Sequence, residues 1–150
     1  MRIVCDTNIL IRAAIHPDGL AAEMLRLIHR GHVSVTSKPL LAEALDVLRR
    51  EHIRALHQRD ETGIRRFVSR IYKWSVCVSI APVPPAIVPH DPKDDAIVLT
   101  AIAGRADVLC SRDRHLFHPG VVAECARHGV RVVRDDDLLR ELRSGPAAGP

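Results

Sequence analysis

Residues 91–113 read DPKDDAIVLTAIAGRADVLCSRD, and this stretch decides the fold. Asp91-Pro92 suits the opening of a helix, because a proline in the first turn gives up an N–H that has no partner there anyway. The following AIVLTAIA, residues 96–103, is apolar nearly all round, so this helix must lie against a sheet and out of solvent. ADVLC, Ala106 to Cys110, then reads as a short buried strand ending at Ser111-Arg112-Asp113. A buried helix running straight into a buried strand is the unit of a parallel α/β sheet whose faces are covered by crossover helices.

The rest of the chain extends that pattern. RIVC (Arg2 to Cys5) and VSVT (Val33 to Thr36) are short strands, and Leu20, Met24, Leu25, Leu27 and Ile28 recur between them at helical spacing before Gly31. Ser37 is placed to cap a helix carrying Leu40, Leu41, Ala44, Leu45 and Leu48, with Pro39 in its first turn. A further helix has Ile64, Phe67, Val68 and Ile71 on one face and Arg65, Arg66, Arg70 and Lys73 on the other. Val76 to Ile80 and Val130 to Val133 are strand-like, APVPPAIVPHDP between residues 81 and 92 is a rigid connection, and Asp137 to Leu142 is a final helix. The expected fold is a three-layer α/β/α sandwich with a parallel sheet of four or five strands, plus a basic helical arm from about Leu40 to Trp74. At 150 residues it is read as one domain, 1–143, followed by a disordered tail, SGPAAGP, at 144–150.

Composition narrows the function. No apolar run approaches the roughly 20 residues of a membrane span, and Asp6, Asn8 and Arg12 interrupt the run that a secretory signal would need. Together with four cysteines that form no C-x-x-C pair, this predicts a cytoplasmic protein with reduced thiols and no membrane contact. The net charge of +4 is mild but unevenly spread: between Arg49 and Lys73, eight Lys or Arg stand against three acids. Arg65, Arg66 and Arg70 are candidates for RNA phosphate contacts, with a merely solvated helix face as the equal alternative. Aromatic residues amount to 3%, too few for a base-stacking platform.

In open parallel α/β sheets, ligands collect at the carboxyl ends of the strands. Asp6 follows the first strand and Asp113 the ADVLC strand; either alone also reads as a turn or cap residue. Glu43 has Leu40 and Val47 at i−3 and i+4, which sets a carboxylate on an apolar ridge where an unpaired charge costs several kcal/mol and calls for a cation. Asp46, with Arg49 and Arg50 at i+3 and i+4, reads as a solvated ion pair and stays outside the candidate set. Asp94 either supports the cap made by Asp91 or projects along the ridge of Ile97, Val98 and Ala101, and Asp95 is its neighbouring alternative. Four acids on one crest repel one another unless a divalent cation binds, and an all-oxygen donor set suits Mg²⁺ or Mn²⁺. Such ions support phosphodiester hydrolysis.

VCDTNIL, SKPLLAEALDVL, DPKDDAIVLTAIAGRADVLCSRDRHLF and GVRVVRDDDLL, in this order, resemble a PIN domain, most of all the PIN-family (VapC-like) toxins of bacterial type II toxin–antitoxin pairs. The resemblance runs from about Arg2 to Leu142. It implies a parallel α/β/α sandwich, metal-dependent endoribonuclease activity, an RNA substrate and a cognate antitoxin; separately, the apolar face of the basic arm exceeds what the small core needs, which predicts a groove for a homodimer or an antitoxin helix. Carried over residue by residue, the family's acids fall on Asp6, Glu43, Asp94 (or Asp95) and Asp113, as catalytic residues and as ligands of Mg²⁺ or Mn²⁺. The chain departs from the family pattern at Arg12, where a serine is frequent, at Ser111 in place of threonine, and at His115 in place of a further acid.

Other classes fit less well. A haloacid-dehalogenase-type phosphatase needs an Asp where this chain has Asn8, a phosphate-binding P-loop needs a glycine-rich turn with GK[ST], and the H-x-x-H pairs His29/His32 and His115/His118 have no cysteine at finger-like spacing. The alternative to an enzyme is a catalytically weak or inactive PIN-like module that binds RNA or protein.

Overall fold

A computed structural model describes residues 1–81 and 95–145. Five strands, β1 (Arg2–Cys5), β2 (Val33–Ser37), β3 (Ser75–Val78), β4 (Val108–Cys110) and β5 (Arg131–Val133), form one sheet in the order β3-β2-β1-β4-β5. All four pairings are parallel, with Cys5 opposite Cys110 and Cys110 opposite Val133. The described helices are α1 (Thr7–Ile15), α2 (Leu20–Gly31), α3 (Lys38–Arg49), α4 (Glu51–His57), α5 (Glu61–Trp74), α6 (Asp95–Ala103), α7 (Pro119–Arg127) and α8 (Asp135–Ser144), with a 3-10 turn at Arg114–Phe117.

Strand alternation divides the core between two faces. Val4 and Leu109 pack with Ile97, Val98 and Ala101 of α6 and with Val121 and Cys125 of α7. Ile3, Val108 and Cys110 point the other way, toward Ile9 and Ala13 of α1, Met24 and Ile28 of α2, and Leu138 and Leu142 of α8. This is the expected three-layer α/β/α arrangement, at the five-strand end of the range. Among the described residues no helix is long and apolar enough to cross a membrane.

Helix α6 takes the buried position its all-round apolarity requires, with Ile97, Val98, Thr100 and Ala101 out of solvent. Two bonds fix its direction. Thr100 Oγ1 lies 2.8 Å from the Ser37 hydroxyl at the carboxyl end of β2, and Arg2 Nε donates to the Gly104 carbonyl at 2.7 Å beside the amino end of β1. The helix therefore runs against the strands, and Asp95, five residues before Thr100, stands about 7.5 Å farther toward the carboxyl edge. Gly104 closes the turn into β4 where a Cβ would overlap Val35 Cγ1 and lie 2.9 Å from the Thr100 carbonyl oxygen.

Several local expectations change. The opening at Asp91-Pro92 and the tail from Pro146 onward lie outside the described residues; Ser144, placed in the tail, is the last residue of α8. Ser37 occupies the N-cap of α3 but makes no capping bond, because its hydroxyl is shared with Thr100 instead. The apolar stripe of α5 is consumed by the core: Ile71 packs with Leu10, Leu41 and Ala44, and Ile64 with Ile11, Ala14 and Leu48. The basic helices from Leu40 to Trp74 are thus docked on α1, and what they leave exposed is confined to residues such as Leu56 and Tyr72.

Candidate active site

The carboxyl edge of the sheet gathers the acids. Asp6 is the residue after β1, and its backbone N–H donates to the Cys110 carbonyl at 2.9 Å, which locks it to the end of the neighbouring strand β4. It occupies the N-cap position of α1, yet its side chain makes no capping bond. The carboxylate turns toward β4 instead, where Ser111 Oγ donates to Oδ2 at 2.5 Å. The same hydroxyl accepts the Asp113 backbone N–H at 2.9 Å, so one buried serine holds the geometry of both acids. Asp113 Oδ1 in turn accepts the His115 N–H at 2.9 Å and caps the 3-10 turn, with the His115 ring 3.5 Å away. The turn-and-cap reading of Asp113 is therefore correct as a description of its local bonding, without taking its carboxylate away from the crest.

Glu43 departs from its expected surroundings. It lies on an exposed part of α3, because Leu40, Leu41, Ala44 and Leu48 supply the buried face and Glu43 falls beside it. No desolvated charge arises there. Thr7, the first residue of α1 and itself buried, donates its hydroxyl to Glu43 Oε2 at 2.9 Å and ties this acid to the Asp6 segment. Asp95 opens α6 at the same edge of the sheet, half-buried, while Asp94 lies outside the described residues.

Asp6 carries the electrostatic strain of this arrangement. Burial pushes its carboxyl above the ordinary range, the Ser111 hydroxyl and the Thr7 backbone N–H oppose that, and the charges of Glu43 and Asp113 push it further up. Repulsion of this kind places Glu43 and Asp113 each within electrostatic reach of Asp6. Among the described residues no three His, Cys, Asp or Glu side chains form a ready-made metal cage. The donor chemistry nevertheless fits a hard divalent cation: the acids offer only oxygens, and a cation relieves both the burial of Asp6 and its repulsion by its neighbours. Beneath the crest, Cys5 and Cys110 sit side by side as free thiols, and the Cys110 thiol is pushed up by its bond to Cys5 and by burial.

Next to the acids lies a cluster that sequence reasoning missed. Asp135, the first residue after β5 and Arg134, is 7% exposed and binds two guanidiniums: Arg12 Nη1 to Oδ2 at 2.6 Å and Arg112 Nε to Oδ1 at 2.7 Å. Burial alone would raise its carboxyl, but the two arginines outweigh burial and hold it below the ordinary range. The signal was present, since Asp135 follows its strand much as Asp6 follows β1, but its partners Arg12 and Arg112 lie far from it in the sequence.

The three candidate phosphate-binding arginines separate. Arg65 Nε is paired with Glu61 at 2.9 Å, and Arg49 binds the same carboxylate. Arg66 is exposed. Arg70 is exposed and holds its guanidinium 5.7 Å from the centre of the Trp74 ring. Asp46 forms the expected solvated pair with Arg50, at 3.2 Å.

The family model of the PIN domain matches residues 2–115, which includes Asp6, Glu43, Asp113 and the whole of the sheet except β5. This chain belongs to the PIN domain family. Comparison with curated proteins finds no match. PIN membership points to nuclease-type function and accounts for acids of separate origin meeting on the carboxyl edge of a parallel sheet.

Proposed function

We propose that this PIN-domain chain is a metal-dependent endoribonuclease, the toxin component of a toxin–antitoxin pair. The observation that carries the reading is the Ser111 hydroxyl, which orients Asp6 and Asp113 together while Thr7 brings Glu43 alongside. Asp6, Glu43, Asp113 and either Asp94 or Asp95 would hold Mg²⁺ or Mn²⁺. When bound, such an ion polarises the phosphodiester, favours a hydroxide-like water and stabilises the departing oxygen.

The protein's own contribution is placement. Ser111 holds the Asp6 carboxylate and the Asp113 backbone, and Thr7 the Glu43 carboxylate, before substrate arrives, so these positions cost nothing to organise during the reaction. Products ending in a 5′-phosphate and a 3′-hydroxyl are expected. RNA is the substrate, and the partners are a cognate antitoxin and a second copy of the chain.

A binding module without turnover is the second reading, favoured by the exposed Arg66 and Arg70 of α5, which could contact phosphates without any help from the acids. Labelled RNA incubated with the purified protein in Mg²⁺, in Mn²⁺ and in EDTA separates the two. Metal-dependent cleavage supports the enzyme, and binding without cleavage in any metal supports the module. Co-purification with the product of an adjacent reading frame tests the antitoxin.

A further inference from the structure

Arg12 and Arg112 approach Asp135 from different elements. Arg12 lies on α1, six residues after Asp6, and Arg112 lies between Ser111 and Asp113. Ser111 N–H also donates to the Val133 carbonyl at 3.1 Å, so the ends of β1, β4 and β5 meet at this point. One arginine would suffice to neutralise Asp135. The second leaves the trio with a net positive charge, immediately beside a crest of acids.

Two features set this cluster apart from an ordinary structural bridge. The side chains of Arg12 and Arg112 are 37% and 47% exposed, against 10% for the Asp135 side chain, so the carboxylate is inside and the guanidiniums form the surface. Each guanidinium has five N–H donors. Arg12 and Arg112 each direct one nitrogen at Asp135, and neither guanidinium makes another hydrogen bond among the described residues. The remaining donors are available to a planar or tetrahedral oxyanion. Arg112 stands between Ser111 and Asp113 in the chain, yet both guanidiniums are turned to Asp135 and not to the acids of the crest.

We infer that Arg12 and Arg112, oriented by Asp135, form a phosphate subsite that grips the RNA backbone beside the scissile bond. The inference rests on the ribonuclease reading and adds to it the residues that position the strand. Asp135 is a positioning residue, since it acts through the two arginines. Guanidinium is suited to this role because it binds phosphate oxygens in pairs and stays charged at any working pH.

The test measures binding and turnover separately. Fluorescein-labelled single-stranded RNA is titrated with wild type, Arg12→Gln, Arg112→Gln and the double variant, in EDTA and at several salt concentrations. The expected result is an affinity about five- to twentyfold weaker in the double variant, with the salt slope reduced by about one for each phosphate that is no longer neutralised. In Mn²⁺ the same variants should show raised KM with kcat changed far less. Arg12→Lys and Arg112→Lys keep the charge but not the paired donors, and should bind RNA more tightly than the glutamine variants and less tightly than wild type, even where thermal stability falls. A purely structural role would lower stability and leave RNA affinity unmoved. Should the glutamine variants fail to fold, the Arg12 and Arg112 side-chain NMR resonances of wild type must shift on addition of RNA in EDTA.

Unchanged affinity and KM in the double variant, or unmoved resonances, overturn the subsite even if wild type cleaves RNA. Arginine-dependent binding by a wild type that cleaves nothing upholds the phosphate contact by these two arginines but removes the ribonuclease reading, and with it the placement beside a scissile bond.

Discussion

The Ser111 hydroxyl donates to Asp6 Oδ2 at 2.5 Å from the end of the neighbouring strand. This bond converts a strand register into site geometry. Because Cys5 lies opposite Cys110, the residues one position further on, Asp6 and Ser111, are brought side by side, and the hydroxyl then reaches on to the Asp113 backbone. Asp6 thereby gives up its helix cap and becomes a buried carboxylate facing other carboxylates. The fold accepts this local cost at the edge to which the proposed chemistry is assigned.

Replacing Ser111 by alanine leaves Asp6 buried without its hydroxyl donor. The Asp6 carboxyl should rise further, because the serine bond opposes the upward push of burial. A loss of about 1–3 kcal/mol is expected for a buried acceptor deprived of its donor. The acid limb of the cleavage pH profile should move to higher pH. A limb that stays in place would show that Ser111 does not govern the ionisation of Asp6.

Asp135 supplies the clearest dependence of stability on pH. Its folded-state carboxyl lies below the ordinary value, so its stabilising contribution is present above the unfolded-state pKa and is lost as pH falls through the folded one. Asp135→Asn should cost about 1–3 kcal/mol at pH 7, the scale for hydrogen bonds to charged groups, because the two guanidiniums it leaves behind are partly open to water. The gap from wild type should narrow steadily below about pH 4, where the unfolded-state carboxyl protonates. Thermal melts across that range read it directly, and a gap independent of pH would remove the ion pairs from the explanation.

Gly104→Ala tests the seating of α6 on the sheet. The new methyl would overlap Val35 Cγ1 and crowd the Thr100 carbonyl, neither of which is the free end of a flexible chain. Overpacking of this kind costs about 1–3 kcal/mol, and Tm should fall by several degrees. An unchanged Tm would mean that α6 can lift from β2 without penalty.

Much of this molecule is legible in its sequence, for identifiable reasons. Five β-branched runs correspond to five strands, and AIVLTAIA can only be a buried helix. The helix after Asp6 is hidden because Asn8 and Arg12 break its apolar run, although Arg12 in fact leaves the core for Asp135. Residues 119–127 form a short helix with only Val121 and Cys125 buried, too few to show a period. Glu43 reads as set among apolar side chains because spacing along one helix locates a ridge but not the partner that covers it. The Asp135 cluster joins residues 12, 112 and 135, and no pattern confined to one element could display it.

Asp6→Asn separates the chemical role of the acid from its place in the fold. Asparagine keeps the size and can still accept the Ser111 hydroxyl, so the loss is confined to charge. Cleavage in Mg²⁺ or Mn²⁺ should drop at least about a hundredfold, the scale of losing one catalytic electrostatic group, with RNA affinity in EDTA changed far less. Stability should move the opposite way. The Asp6 carboxyl is raised in the folded state, so its contribution is fully present below the unfolded-state value and is lost as pH rises through the folded one. A side chain that cannot ionise escapes that loss. In EDTA the variant should therefore gain in Tm over wild type as pH rises toward 7. Added Mg²⁺ or Mn²⁺ should raise the wild-type Tm and leave the variant nearly unmoved, because only a folded state that binds the ion is stabilised by it. Asp46→Asn, whose carboxylate makes an exposed pair with Arg50, is the matched control and should be almost silent in every measurement. Wild-type rates from Asp6→Asn, or cleavage undiminished in EDTA, would rule out a metal–carboxylate mechanism for this crest of acids.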